Sequence, residues 1–121
     1  MNMDTIEGMK EYVGMVCQKN NWILNKNQDA FNDLIDGLLH TKKNNGYQSC
    51  PCRLATGNRE LDRDIICPCD YAHDDVKEFG ACYCNLYLRL DYYETLNAEF
   101  VHVPERRPIE KENAVLDYFN K

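Results

Sequence analysis

Apolar residues recur every three or four positions over residues 5–20, at Ile6, Met9, Val13, Val16 and Cys17. That period puts side chains on one face of a helix. Asp4 or Thr5 offers the side-chain oxygen that caps its first turn. A second amphipathic helix is predicted over residues 28–43, with Asn27 as its cap and Phe31, Leu34, Ile35, Leu38 and Leu39 on one face. Asn44-Asn45-Gly46 ends it and turns the chain. Neither helix carries a chemical motif. Their expected role is to lay apolar faces, with Tyr12, Trp22 and Phe31 in the core, over the cysteine-rich middle of the chain.

From residue 47 to residue 90 the pattern breaks into short pieces. Residues 59–66 and 74–79 read as short helices, the latter stopped by Gly80, and residues 85–90 as a short extended piece. Pro104 and Pro108 bracket a linker, after which residues 109–119 form a last helix expected to turn Val115, Leu116 and Phe119 inward. At 121 residues the chain has the size of one domain. It divides into a helical cap (1–46), a cysteine-rich region (47–90), and a linker with a C-terminal helix (91–121). The fold class expected is mainly α, a small multihelical domain with irregular loops.

Charge narrows the functional classes. A net charge of -6 argues against nonspecific nucleic-acid binding, which draws its affinity from neutralised phosphates. No apolar run approaches the roughly 20 residues of a membrane span. The first ten residues carry Asp4 and Glu7 and lack a secretory apolar stretch, so a cytoplasmic location is expected. The basic residues Lys42, Lys43, Arg53, Arg59, Arg63 and Arg89 lie in or beside the cysteine region. They read either as a local docking patch for an acidic partner or as ordinary solvated side chains.

Six of the seven cysteines stand in three Cys-X-Cys pairs: Cys50-Pro51-Cys52, Cys67-Pro68-Cys69 and Cys82-Tyr83-Cys84. Proline inside two pairs fixes one backbone dihedral and removes a donor, holding the thiols in bent, non-helical loops. Zinc sites favour two to four residues between ligands, so a single intervening residue is tight for one small ion. It suits neighbouring thiolates that bind different irons of a larger cube, or one bound thiolate beside one free. A 4Fe-4S cube takes four protein thiolates, which leaves two over. On the residues alone an iron–sulfur centre, a zinc site and a reduced or disulfide-only arrangement all stay open.

The order CPC, CPC, CYC, with CPCR at the first pair and CYCNLYL at the last, resembles the catalytic subunit of ferredoxin–thioredoxin reductase. That resemblance implies a helical disc wrapped around one 4Fe-4S cluster. Carried over position by position, it implies Cys50, Cys67, Cys69 and Cys82 as cluster ligands and Cys52 and Cys84 as a redox-active disulfide. Cys84 is then the member near the cluster and Cys52 the outward nucleophile. It implies ferredoxin as electron donor, thioredoxin or a thioredoxin-like protein as acceptor, and a small variable subunit as a further partner. With donor and acceptor near about −400 and −270 mV, the two-electron transfer is downhill by roughly 6 kcal/mol. The alternative functions are a non-catalytic iron–sulfur or zinc-binding module and a redox sensor.

One position departs from the photosynthetic members, which carry histidine between the last two cysteines where this chain has Tyr83. With a reference pKa near about 10, tyrosine is a poor proton shuttle at neutral pH. His73 reads as a surface residue outside the chemistry and Cys17 as a small buried hydrophobe. Tyr71, Tyr87, Tyr92 and Tyr93 read as core. Arg53, directly after Cys52, either favours a thiolate or is solvated or salt-bridged. Asp70, Asp74 and Asp75 read as helix-start carboxylates.

Overall fold

The computed structural model describes residues 2–96 and 100–120. Helix α1 (Ile6–Asn20) opens on Thr5, whose hydroxyl accepts from the Gly8 N–H, and buries Met9, Val13, Val16 and Cys17. Asn21 closes it in the left-handed region at φ 58°. Helix α2 (Gln28–Asn45) opens on Asn27, whose side chain accepts from the Ala30 N–H, and stops at Gly46 with φ 86°. Ile35 and Leu38 are its buried residues, while Phe31, Leu34 and Leu39 pack against the core from its margin. Between these helices lies a strand that the sequence pattern does not reveal, β1 (Trp22–Leu24).

The expected helix over 59–66 is shorter and divided: α3 (Arg59–Asp62) runs into a 3₁₀ turn, Arg63–Ile65. Helix α4 (Ala72–Phe79) starts two residues before the expected 74 and ends at Gly80. Strand β2 (Tyr87–Arg89) pairs antiparallel with β1, Trp22 opposite Arg89 and Leu24 opposite Tyr87. Asn85, expected at the head of an extended piece, instead turns the chain at φ 62°. A π turn at Tyr92–Leu96 comes next, and α5 (Ile109–Phe119) closes the chain. The result is a small, mainly helical domain with one two-stranded sheet. The expected C-terminal segment, 91–121, includes residues 97–99 and 121, which lie outside the described residues.

The core packs α1, α2 and α4 around the cysteines. Met9, Val13, Val16, Cys17, Trp22, Ile35 and Leu38 form one apolar cluster with Cys67, Cys69, Cys82 and Tyr87. Leu88, Tyr92 and Val103 form a smaller one on the far side of β2, and Tyr93 packs against it. Cys17 behaves as the buried hydrophobe its helix position suggests. Helix α5 departs from expectation, since Val115 is buried but Leu116 and Phe119 remain 54% and 50% exposed. It packs beside α3 and the loop that carries Cys52 and Leu54.

The segment between Pro104 and Pro108 is far more than a linker. Glu105 pairs with Arg53, Arg106 with Asp75 and Glu78 of α4, and Arg107 with Asp64 of the 3₁₀ turn. Three consecutive charges thus reach three different elements. The Arg107–Asp64 pair is buried on both sides, with Nε–Oδ2 at 2.7 Å and Nη2–Oδ1 at 3.0 Å. Tyr71 donates to the same carboxylate at 2.6 Å, and these bonds hold Asp64 below the usual carboxylate range despite its burial. Asp75 stands in the first turn of α4, as expected of a helix-start carboxylate, and is in addition fully buried and ion-paired.

Asp62 performs a similar service for the loop after the first cysteine pair. Fully buried, it accepts from Tyr47 OH, from the Thr56 N–H and hydroxyl, and from the Gly57 N–H. Several donors on one carboxylate remove most of the cost of burying it.

Two helical glycines make opposite contacts. A Cβ at Gly37 in α2 would meet the Pro51 Cβ at 2.7 Å, so that helix seats directly on the first Cys-X-Cys loop. A Cβ at Gly14 in α1 would meet nothing within 4 Å. Gly14→Ala should therefore gain up to about 1 kcal/mol from helix propensity. Gly37→Ala should instead cost about 1–3 kcal/mol through overpacking against a proline ring. Urea denaturation of the two variants checks the opposite signs; a stabilised Gly37→Ala would contradict this packing.

Candidate cysteine centre

Backbone pairing brings the first two cysteine loops side by side. Ser49 and Ile66 form an antiparallel bridge, with Cys50 N–H donating to Ile65 at 2.7 Å and Cys67 N–H to Gln48 at 2.8 Å. From α1, Tyr12 OH donates to the Cys67 carbonyl at 2.8 Å, and the Gln48 amide donates to it at 3.2 Å. The third loop is a tight reversal. Cys82 N–H donates to Tyr87 at 3.0 Å and Asn85 N–H to Cys82 at 2.9 Å. Asn85 can hold its positive φ because its short polar side chain bonds locally. Its amide clamps Val101 in both directions, each bond 2.9 Å long.

These loops enclose a narrow cavity lined by Cys50, Cys67, Cys69, Cys82 and Cys84, with Ala72, Leu86 and Tyr87 among its apolar walls. Cys50, Cys67, Cys69 and Cys82 are buried, Cys84 is half-buried, and Cys52 is exposed. The structure therefore brings five of the six motif cysteines to one cavity. Cys52 opens instead into a groove lined by Leu54, Tyr83, Glu105, Val115 and Leu116. Arg53 and Tyr83 border both spaces and form the wall between them.

Tyr87 reaches two of the buried sulfurs. The Tyr87 N–H donates to Cys82 Sγ at 3.3 Å, and Tyr87 OH lies 3.4 Å from Cys67 Sγ. Cys82 and Cys84 sulfurs are 3.8 Å apart. Among the described residues no three His, Cys, Asp or Glu side chains converge as ligands of a single ion. Five thiols around an apolar cavity, four of them buried, fit the soft-ligand demand of a 4Fe-4S group with one sulfur to spare.

The sulfurs also differ in ionisation. Burial pushes Cys67 well above its usual range and Cys69 up to about 11, the latter opposed by Arg53. Cys52 is held down to about 4 by hydrogen bonding with Cys50 and then Cys84, with Arg53 adding to the effect. Cys84 is pushed well above its usual range because it donates to Cys50, Cys52 and Cys82. An accessible thiolate thus stands over a retained thiol.

Arg53 is neither solvated nor part of a surface patch. Its side chain is 3% exposed and forks onto Glu105, Nε–Oε2 at 3.0 Å and Nη2–Oε1 at 2.7 Å. The remaining nitrogen, Nη1, donates to Cys69 Sγ at 3.4 Å. Its guanidinium lies 4.2 Å from the centroid of Tyr83 and 5.4 Å from that of Tyr71. Tyr83 is therefore a platform for a cation, and burial raises its own pKa further from neutrality. Three of the other basic residues find local partners: Lys42 pairs with Asp4, Arg63 with Glu60, and Arg89 with Asp91. His73 is exposed, 2.7 Å from Asn20 Oδ1 and tilted against Trp22. Neither Glu105 nor Arg107 was singled out by sequence reasoning. Three successive charges between two prolines were the signal available.

The family model described as "Ferredoxin thioredoxin reductase catalytic beta chain" matches residues 1–114. The chain belongs to this family. A comparison with curated proteins gives no match. Membership in the reductase family supports a disulfide-reductase role, with ferredoxin and thioredoxin as the partners its name implies. No helix among the described residues is long and apolar enough to cross a membrane. The match ends just before Val115 and Leu116, which line the groove beside Cys52.

If Cys52 carries its thiolate down to about pH 4, iodoacetamide should modify it first in the reduced chain. Its rate should be nearly flat between pH 6 and 9. Peptide mapping against time checks this; a rate rising tenfold per pH unit toward an ordinary thiol pKa near about 8.5 would contradict it.

Proposed function

We propose that the chain is an iron–sulfur disulfide reductase that passes single electrons from ferredoxin to the disulfide of thioredoxin or a thioredoxin-like protein. The observation that carries this reading is the partition of the thiols. Cys52 stands exposed in an open groove, while the other five motif cysteines line the cavity behind Arg53 and Tyr83. Cys50, Cys67, Cys69 and Cys82 are the residues that would hold a 4Fe-4S cluster, and the domain would wrap around it as a single unit. Bound there, the cluster supplies one-electron transfer between ferredoxin and the Cys52–Cys84 pair.

The remaining chemistry belongs to the chain. Cys52 thiolate attacks one sulfur of the target disulfide, forming a mixed disulfide and expelling the other target sulfur as a thiolate. Cys84 passes its proton to that expelled thiolate and attacks Cys52 Sγ. That forms the Cys52–Cys84 disulfide and releases the second target thiolate. The target has gained two electrons, and two one-electron deliveries restore the pair. The thiolate character of Cys52 favours the first attack.

The groove supplies the docking face. Leu54 and Leu116, 61% and 54% exposed, flank the nucleophile with apolar surface suited to a protein partner. A small variable subunit would be a further partner, away from this groove.

Cys52→Ser and Cys84→Ser are expected to keep iron and lose at least about 10³-fold in turnover, whereas serine at Cys50, Cys67, Cys69 or Cys82 should lose iron. Anaerobic purification, iron analysis and thioredoxin-disulfide reduction with a one-electron donor separate the two groups. A Cys52→Ser chain without iron would reverse the assignment within the first pair. Leu116→Glu should raise KM for the target roughly tenfold with kcat and iron content unchanged; an unaltered KM would remove α5 from the docking face.

A further inference from the structure

We propose that Arg53 is a positioning residue for the metal centre, setting its reduction potential through the Cys69 sulfur with Glu105 as the opposing charge. This rests on the proposed function, in that it takes Cys69 as a ligand. The geometry is specific. Two edges of the guanidinium are committed to Glu105 at 2.7 and 3.0 Å, leaving Nη1 aimed at Cys69 Sγ at 3.4 Å. Tyr83 covers one face at 4.2 Å, and the side chain is 3% exposed. A cation held on three sides cannot swing away when charge changes beside it.

The direction of the effect is set by charge. A cluster that gains an electron becomes more negative, so a donor and a fixed positive charge at a ligand sulfur favour the reduced form and raise the potential. Glu105 acts oppositely, because its carboxylate offsets part of the same positive charge across two hydrogen bonds. Burial magnifies both influences by excluding water. Tyr83 does not need to move a proton in this arrangement. Its ring lies under the guanidinium that reaches the sulfur, a cation–π contact that gives an aromatic residue between the last two cysteines a role.

The test is a redox titration of the cluster in the full chain, followed by EPR, for wild type, Arg53→Gln and Glu105→Gln. Iron content is measured first. Arg53→Gln should shift the midpoint to more negative values. Glu105→Gln, whose amide still accepts from the guanidinium, should shift it to more positive values. Arg53→Lys, keeping charge without the fork, should recover part of the Arg53→Gln shift. Opposite shifts with iron retained support the proposal, because loosened packing would not move the two variants apart. An unmoved midpoint in Arg53→Gln, or shifts of the same sign in both, overturns it. Loss of iron from both Arg53 variants also overturns it, in favour of a purely structural role. Wild-type chain without four irons fails the proposed function itself, before the variants are compared.

Discussion

Thiols gathered in an apolar cavity resist ionisation, and the structure is arranged around that constraint. Any chemistry that needs several thiolates together must supply positive charge and N–H donors from within, because solvent is excluded. Arg53 is the cation nearest the problem, and its ion pair with Glu105 organises much else. That pair ties the first cysteine loop to the C-terminal segment across 52 residues of sequence. It also closes the cavity against the groove. Removing it would open the sulfurs to water and free the loop that carries Cys52.

A single buried ion pair is weak evidence of stability, since the desolvation of both partners can exceed their attraction. Here its neighbours share the cost. Glu105 also accepts the Arg107 N–H at 2.9 Å, and Arg107 in turn binds Asp64 and the Leu61 carbonyl. Asp64 accepts Tyr71, whose ring lies beside Arg53. The network closes on itself, so every member limits the motion of the next. Such closure favours one arrangement of the loops over slightly shifted alternatives, which a sulfur cage requires more than raw stability.

The helices were legible because their boundaries are local chemistry. Thr5 and Asn27 cap, Gly46 and Gly80 terminate, and the structure ends the elements there. Strand β1 was hidden since three residues, Trp22–Leu24, are too few to display a period of two. The inward face of α5 was misjudged for a related reason. Periodicity names an apolar stripe, but only the tertiary partner decides how much of it is covered, and on α5 Val115 is buried while Leu116 and Phe119 are not. Motif and spacing displayed the cysteines; the run Glu105, Arg106 and Arg107 between two prolines is visible, but its partners are not, because long-range charge pairing leaves no pattern in the intervening chain. Gly37 is the intermediate case. A glycine inside an otherwise regular helix signals a close approach, and Pro51 is the group approached.

Tyr83 shows how one substitution redistributes a task. A histidine between the last two cysteines offers a titratable proton carrier, whose charge depends on pH. A tyrosine at that place offers neither charge nor an accessible proton near neutrality, and burial raises its pKa further. What it offers is a flat face, and the guanidinium 4.2 Å above it is a cation that does not titrate. Positive charge beside the sulfurs therefore persists at any pH at which the fold does. Under the proposed function, protons for the two released thiols must then come through the groove, where Cys52 meets solvent and target together. In that proposal, electron supply and proton supply would reach the dithiol from opposite sides of the Arg53–Tyr83 wall.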